Sequence, residues 1–203
     1  MLPITFTDDN FKGVDYQQDD PMVISIDINK FTIMKTLVDQ GSSVDILSYK
    51  TFRAMRIPEA EMVLYDDNVV SFAGEKVGTK GYIELYTTFG KGKNNKTIKI
   101  RYLVIDANTS YNILLRCLFI NRLMAIVSTL HLTMKFPSSL GDILMVHVDQ
   151  KVARECYAES LRVESLRNDR SSKRKSSRGQ KSPQREDQPI PMEHTIALVD
   201  LNP

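Results

Sequence analysis

Leu37-Val38-Asp39-Gln40-Gly41-Ser42-Ser43-Val44-Asp45-Ile46-Leu47 is the stretch whose reading decides the fold. An apolar run of strand character stops at an acidic residue. A glycine and two serines follow, and apolar character then resumes. One carboxylate is thereby placed on a tight, hydroxyl-rich loop between hydrophobic segments, and loops on a rigid scaffold carry chemistry. Taken alone, Asp-x-Gly is far more often a strand-end turn than a catalytic loop.

Working outward, Met22-Val23-Ile24-Ser25-Ile26-Asp27-Ile28 alternates, with Val23 a partial exception, and reads as a strand. Asn29-Lys30 is a two-residue turn, and residues 31–38 are the second strand of a hairpin that delivers Asp39 at its end. After the acidic loop, Ser48 is placed to cap a short helix over 49–56, in which Tyr49, Phe52 and Met55 recur every three residues. Ile57-Pro58 ends that helix, because a residue before proline avoids helical geometry.

A long β region follows. Residues 69–72 and 77–85 flank Ala73-Gly74-Glu75-Lys76, a turn with a glycine where positive φ is cheap. Residues 82–88 continue as strand, residues 90–95 form an exposed turn, and residues 97–105 pass from alternation to a fully apolar run, as a strand entering a core does. Residues 111–115 are another buried run leading into a short helix within 117–127. Residues 130–136 alternate and stop at Pro137, and residues 143–146 are a further strand. Residues 151–167 turn helical, with Asp149 placed as the cap and Val152, Cys156, Leu161 and Leu166 on one side.

The totals bound the function. A chain of 203 residues with 42% hydrophobic content suits one domain with tails. No apolar run reaches the ~18 residues of a membrane span. Residues 1–20 lack an apolar h-region, which argues against a secretory signal; without one, the Asn95-Lys96-Thr97 and Asn108-Thr109-Ser110 glycosylation matches read as coincidence. Cys117 and Cys156 suggest no disulfide framework, and His131, His147 and His194 lack ligand spacing, so neither a metal nor a cofactor is expected. Residues 170–185 hold seven basic residues (Arg170, Lys173, Arg174, Lys175, Arg178, Lys181, Arg185) and no acid, leaving the remainder at net −5. With no aromatic residue to stack on bases, that segment allows only weak, non-specific, salt-sensitive nucleic-acid contact, and its composition favours a linker. Lys91, Lys93, Lys96, Lys99 and Arg101 fit a solvated face better than a polyanion site. Residues 168–191 are too polar to offset their chain entropy, and Ile196-Ala197-Leu198-Val199 is an apolar island that reads as the start of a further segment.

This order of features resembles the retropepsin-like aspartic protease domain, and within it the protease segment of Gag–Pol polyproteins of plant gypsy-class LTR retrotransposons. The resemblance is carried by residues 38–47, then Gly81-Tyr82-Ile83-Glu84-Leu85, Ser110-Tyr111-Asn112-Ile113-Leu114-Leu115, residues 127–132, Met134-Lys135-Phe136-Pro137, and residues 149–157, with leader residues Ile4-Thr5-Phe6-Thr7-Asp8 also similar. It covers about residues 4 to 160. It implies a mainly β, closed-barrel subunit with short helices and a disordered basic C-terminal tail: a leader at 1–20, the protease domain at 21–148, a helical extension at 149–167 and the tail at 168–203. It also implies an endopeptidase processing its own polyprotein, in which a reverse transcriptase follows, within an intracellular, cytoplasmic particle. Asp39 would be catalytic and supplied by each member of a homodimer, because the chain offers one Asp-x-Gly in the right context. Gln40, Gly41 and Ser42 would support the loop: Gly41 by letting its amide approach the carboxylate, Ser42 by donating to the outer carboxylate oxygen. Ala73, Gly74 and Glu75 would form the flap that closes over substrate.

Two departures from that family follow. Its members usually have Thr or Ser after the catalytic Asp, where Gln40 stands here. After the apolar pair Leu114-Leu115 the family has Gly and then usually Arg; here Arg116 and Cys117 occupy those positions. If the glycine serves a positive φ, Arg116 costs ~1–2 kcal/mol in backbone strain, and its charge needs a partner. The alternative function is therefore a catalytically degenerate dimerisation or protein-binding module on the same fold. Asp45 reads as structural or exposed, and Asp106 as a loop residue.

Overall fold

A computed structural model of the chain describes residues 3–11, 13–15, 18–65, 69–70, 76–176 and 198–200. The expected hairpin is present: β1 (Val23–Ile28) and β2 (Phe31–Asp39) pair antiparallel across Asn29-Lys30. In β1, Ile24, Ile26 and Ile28 enter the core, and Val23 is buried as well. The two-residue alternation fails in β2, where Ile33 is buried and the next buried residues are Thr36 and Val38. The pairing register shows why. Ile26 faces Ile33 but Ile24 faces Thr36, so Met34 and Lys35 together oppose Ser25 in a β-bulge. Lys35 takes a left-handed φ of 57°, uncommon for a residue with a side chain. The extra residue inverts the phase of the strand, so that Leu37 and Asp39 lie off the core while Thr36 and Val38 point into it.

The remaining barrel strands are β3 (Ile46–Ser48), β6 (Thr79–Lys91), β7 (Asn94–Ile105) and β8 (Ile113–Arg116). Between β3 and β6 lie helix α1 (Tyr49–Ala54) and a small hairpin of β4 (Val69–Val70) and β5 (Lys76–Val77). The order β1-β6-β7-β3-β8-β2 closes through the β1–β2 pair, which makes a closed six-stranded barrel. β2 runs parallel to β8, and β3 parallel to β7. Phe89 and Phe119 stack with ring centroids 5.4 Å apart in the core, and Phe52 and Ile113 are likewise fully enclosed. Side chains of this kind each contribute about 1.5–3 kcal/mol on burial. After helix α2 (Cys117–Leu123) come β9 (Ile126–Ser128), β10 (Thr133–Pro137) and β11 (Ile143–His147), which form a separate three-stranded sheet. Helix α3 (Gln150–Ser176) follows, and β12 (Leu198–Asp200) adds to β2 at Phe31–Ile33. None of the described helices is long and apolar enough to cross a membrane.

Several elements differ in extent from the sequence reading. The exposed turn expected over 90–95 shrinks to Gly92-Lys93, because the β6–β7 ladder runs on to Lys91 and Asn94. Gly90 makes this possible: at φ 93° a Cβ there would lie 2.2 Å from the Asn94 carbonyl oxygen. Helix α2 stops at Leu123 on a left-handed Met124, and Ile126–Ser128 is strand rather than helix. Ser48 stands at the N-cap of α1 but makes no side-chain cap bond, and that helix ends at Ala54. Asp149 does cap α3, accepting from the Val152 amide at 3.2 Å. The buried face of α3 is Ala153 and Cys156, while Leu161 is exposed, and the helix continues past Arg167 to Ser176. Residues 177–185 of the basic segment, and the flap residues Ala73, Gly74 and Glu75, lie outside the described residues.

Asn112 bonds both carbonyls of the bulge. Asn112 donates its backbone N–H to Lys35 O at 3.0 Å and its side-chain amide to Met34 O at 2.9 Å. Its side-chain oxygen accepts from Thr51 Oγ1 at 3.0 Å, and its carbonyl accepts from the Ser48 amide. Asn112→Ala, which frees the Met34 carbonyl and the Thr51 hydroxyl, is expected to lower unfolding free energy by about 2 kcal/mol. Urea denaturation checks this; a loss below about 0.5 kcal/mol would show that the bulge holds itself.

Candidate active site

Asp39 is the last residue of β2, and its register partner on parallel β8 is Arg116. β8 lies between β2 and β3, so the loop over residues 40–45 leaves one neighbour of β8, passes the end of β8, and enters the other. Arg116 closes β8 inside that arc.

The near arm of the loop is built around the carboxylate. The Gly41 amide donates to Asp39 Oδ1 at 2.9 Å, and a Cβ on Gly41 would lie 3.4 Å from the same oxygen, at contact distance. The Gly41 amide thus lies against the carboxylate. The Ser42 hydroxyl does not: it donates to the Val44 carbonyl at 3.0 Å, bracing the loop rather than the carboxylate. A serine hydroxyl takes a nearby backbone acceptor readily, and the local bond wins here. Gln40 is exposed.

Arg116 and Asp45 hold the far arm. The Arg116 amide donates to Asp45 Oδ1 at 2.9 Å, its Nε to Oδ2 at 3.1 Å, and its Nη1 to the Ser43 carbonyl at 2.6 Å. Asp45 is 6% exposed, so the structural reading of this residue holds. Burial pushes the Asp45 carboxyl above its ordinary value, and the Arg116 amide and guanidinium pull it back only in part. The expected strain at Arg116 is absent. Its φ of −84° and ψ of 171° are extended backbone open to any residue, and its charge has a partner. Asp106 sits in an exposed loop, 3.6 Å from Lys80 Nζ.

Burial pushes the Cys156 thiol up to about 11 and so keeps it protonated. Among the described residues no group of His, Cys, Asp and Glu could hold a metal ion. A groove of about 870 Å³, lined among others by Asp27, Thr32, Met145 and His147, does not include Asp39. Asn112 and Lys35 are the supporting residues that sequence reasoning missed. The only signal was the mismatch between Lys35 and the alternation of its strand.

No family model matches the chain, and no curated protein matches it. Among solved structures, it is similar to the retroviral protease-like domain of Ddi1 from Leishmania major, at 12% identity and a TM-score of 0.49, covering 64% of this chain and 94% of that one. It is also similar to a retropepsin-like aspartic protease from Rickettsia conorii (16% identity, TM-score 0.39, 61% and 80% covered). A third is the protease of EIAV in complex with the inhibitor HBY-793 (19% identity, TM-score 0.39, 57% and 99% covered).

A carboxyl whose folded-state pKa is raised favours folding while it is protonated, and that contribution is lost as pH rises from the ordinary value of 3.8 through the raised one. The stability difference between wild type and Asp45→Asn should therefore shift against the wild type as pH rises across that window. Urea midpoints at stepped pH read the effect, and a shift of the opposite sign would mean that Arg116 outweighs burial.

Proposed function

We propose that the chain is one half of an aspartic-type endopeptidase, with Asp39 from each of two copies activating water for peptide hydrolysis. The observation that carries the reading is the setting of Asp39: the bulge turns it off the core, and the Gly41 amide is bonded to its Oδ1. Two such carboxylates brought close cannot both ionise, so they share a proton. The ionised member takes a proton from the attacking water, while the protonated member assists the scissile carbonyl oxygen. The same loop offers no second carboxylate for this work, because Asp45 is buried under Arg116. A second copy must therefore supply the partner, as the sequence resemblance implies. Leu118, 44% exposed two residues beyond Arg116, gives apolar surface near that meeting.

The substrate is the chain's own polyprotein of the gypsy retrotransposon type, closed over by the flap at Ala73, Gly74 and Glu75. The basic segment 170–185, whose first part continues α3 to Ser176, serves as linker. The relief of strain at Arg116 supports activity over the degenerate binding-module reading.

Cleavage of peptides spanning junctions of such a polyprotein tests the proposal. Asp39→Asn is expected to lower the rate at least about a hundredfold, and the wild-type rate per chain should rise with protein concentration as dimers form. Cleavage that persists in Asp39→Asn would sink the assignment. A dimer that cleaves nothing as wild type would favour the binding module.

A further inference from the structure

We propose that Arg116 is the positioning residue of the Asp39 loop, fastening its far arm to the end of β8 through the Asp45 carboxylate and the Ser43 carbonyl. The proposal rests on the reading of Asp39 as one carboxylate of a peptide-hydrolysing pair.

The two arms of the loop are held differently. Bonds made within the loop, from the Gly41 amide, the Ser42 amide and the Ser42 hydroxyl, fix the near arm. The far arm is tied from outside: the Leu103 amide donates to the Asp45 carbonyl at 2.8 Å, and Arg116 supplies the bonds to the Asp45 carboxylate and to Ser43. Asp45 is too buried for water to take over the bonds to its carboxylate, so the guanidinium is also its counter-charge. A planar fork of donors reaches a carboxylate and a carbonyl together, which the single ammonium of lysine does less well. The glycine found here in the family that the sequence resembles would keep only the backbone amide bond to Asp45 Oδ1. In this chain Arg116→Gly is therefore a loosening, not a repair.

Amide hydrogen exchange on the full chain tests this, with Arg116→Gly and Arg116→Lys beside wild type. Exchange at residues 41–44 should quicken by about tenfold or more in Arg116→Gly while the β6–β7 amides keep their protection. Arg116→Lys should restore only part of the difference. Where peptide cleavage is measurable, kcat should fall in Arg116→Gly with KM little changed, as for a group that orients a catalytic residue without touching substrate. Unchanged exchange in the loop, full rescue by lysine, or an equal loss of protection across the whole barrel would each overturn the proposal. If no form cleaves peptide, the exchange pattern still decides the matter, so failure of the protease reading is distinguishable from failure of this one.

Discussion

One extra residue in β2 governs where the carboxylate points. Without the bulge, strand alternation would place Asp39 in phase with Ile33, which is fully buried in the barrel. With it, Thr36 and Val38 fill the core and Asp39 is only half-buried. A left-handed Lys35 costs about 1–2 kcal/mol in backbone strain, and the two bonds from Asn112 to the bulge carbonyls offset it. Lys35 also reaches Glu159 on α3 at 3.2 Å, so the bulge is fastened from two sides. Asn112 joins β2, the start of α1 and β8 through a single side chain and its own peptide groups. Barrel closure and the aim of Asp39 therefore depend on the same contacts.

The loop that follows is organised by charge rather than by apolar packing. A carboxylate as enclosed as Asp45 is costly by itself, and a buried ion pair is seldom a net source of stability. What such a pair supplies is a unique geometry. The Arg116 guanidinium bonds both the Asp45 carboxylate and the Ser43 carbonyl, which leaves the loop few alternative paths across the end of β8. An arginine that looks like damage by comparison with a family pattern is, in its own surroundings, fully employed.

Much of this architecture was legible in the residues. The first hairpin, the strand entering the core at 97–105 and the Asp149 cap follow from period-two patterning or from capping chemistry, which act over a few neighbours. The alternation read over 130–136 does not survive, because β10 runs from Thr133 to Pro137 with every residue buried. The mainly β character and the placement of Asp39 on a strand-end loop were readable from the same local patterning, whereas the closed barrel came from the resemblance to a known family. Features decided at long range were not. The bulge at Met34-Lys35 is set by Asn112, 78 residues away in sequence from Met34. The pairing of Arg116 joins residues 71 apart, so its accommodation could not be read from the local pattern. Ser42 could bond either the carboxylate or the backbone, and nothing in the residue names chooses between them. Element ends moved where a single residue such as Gly90 or Met124 adopts a left-handed φ.

The N-terminal segment carries a further consequence. Lys135 of β10 is 8% exposed, and its ammonium donates to the Thr5 carbonyl at 2.7 Å and to Asn10 Oδ1 at 3.0 Å, beneath the Phe6 ring. Nearby, Arg154 of α3 pairs with Asp15 and Asp20. These partners are 125 to 139 residues apart in sequence. During synthesis this segment must therefore wait for nearly the whole barrel before these partners exist. Its docking is an act of closure, paced by chain length and contact order. A ribosome-bound chain that stops short of Lys135 would lack every one of these partners for the segment, and one that stops between Lys135 and Arg154 would hold it at Thr5 and Asn10 but not at Asp15 and Asp20.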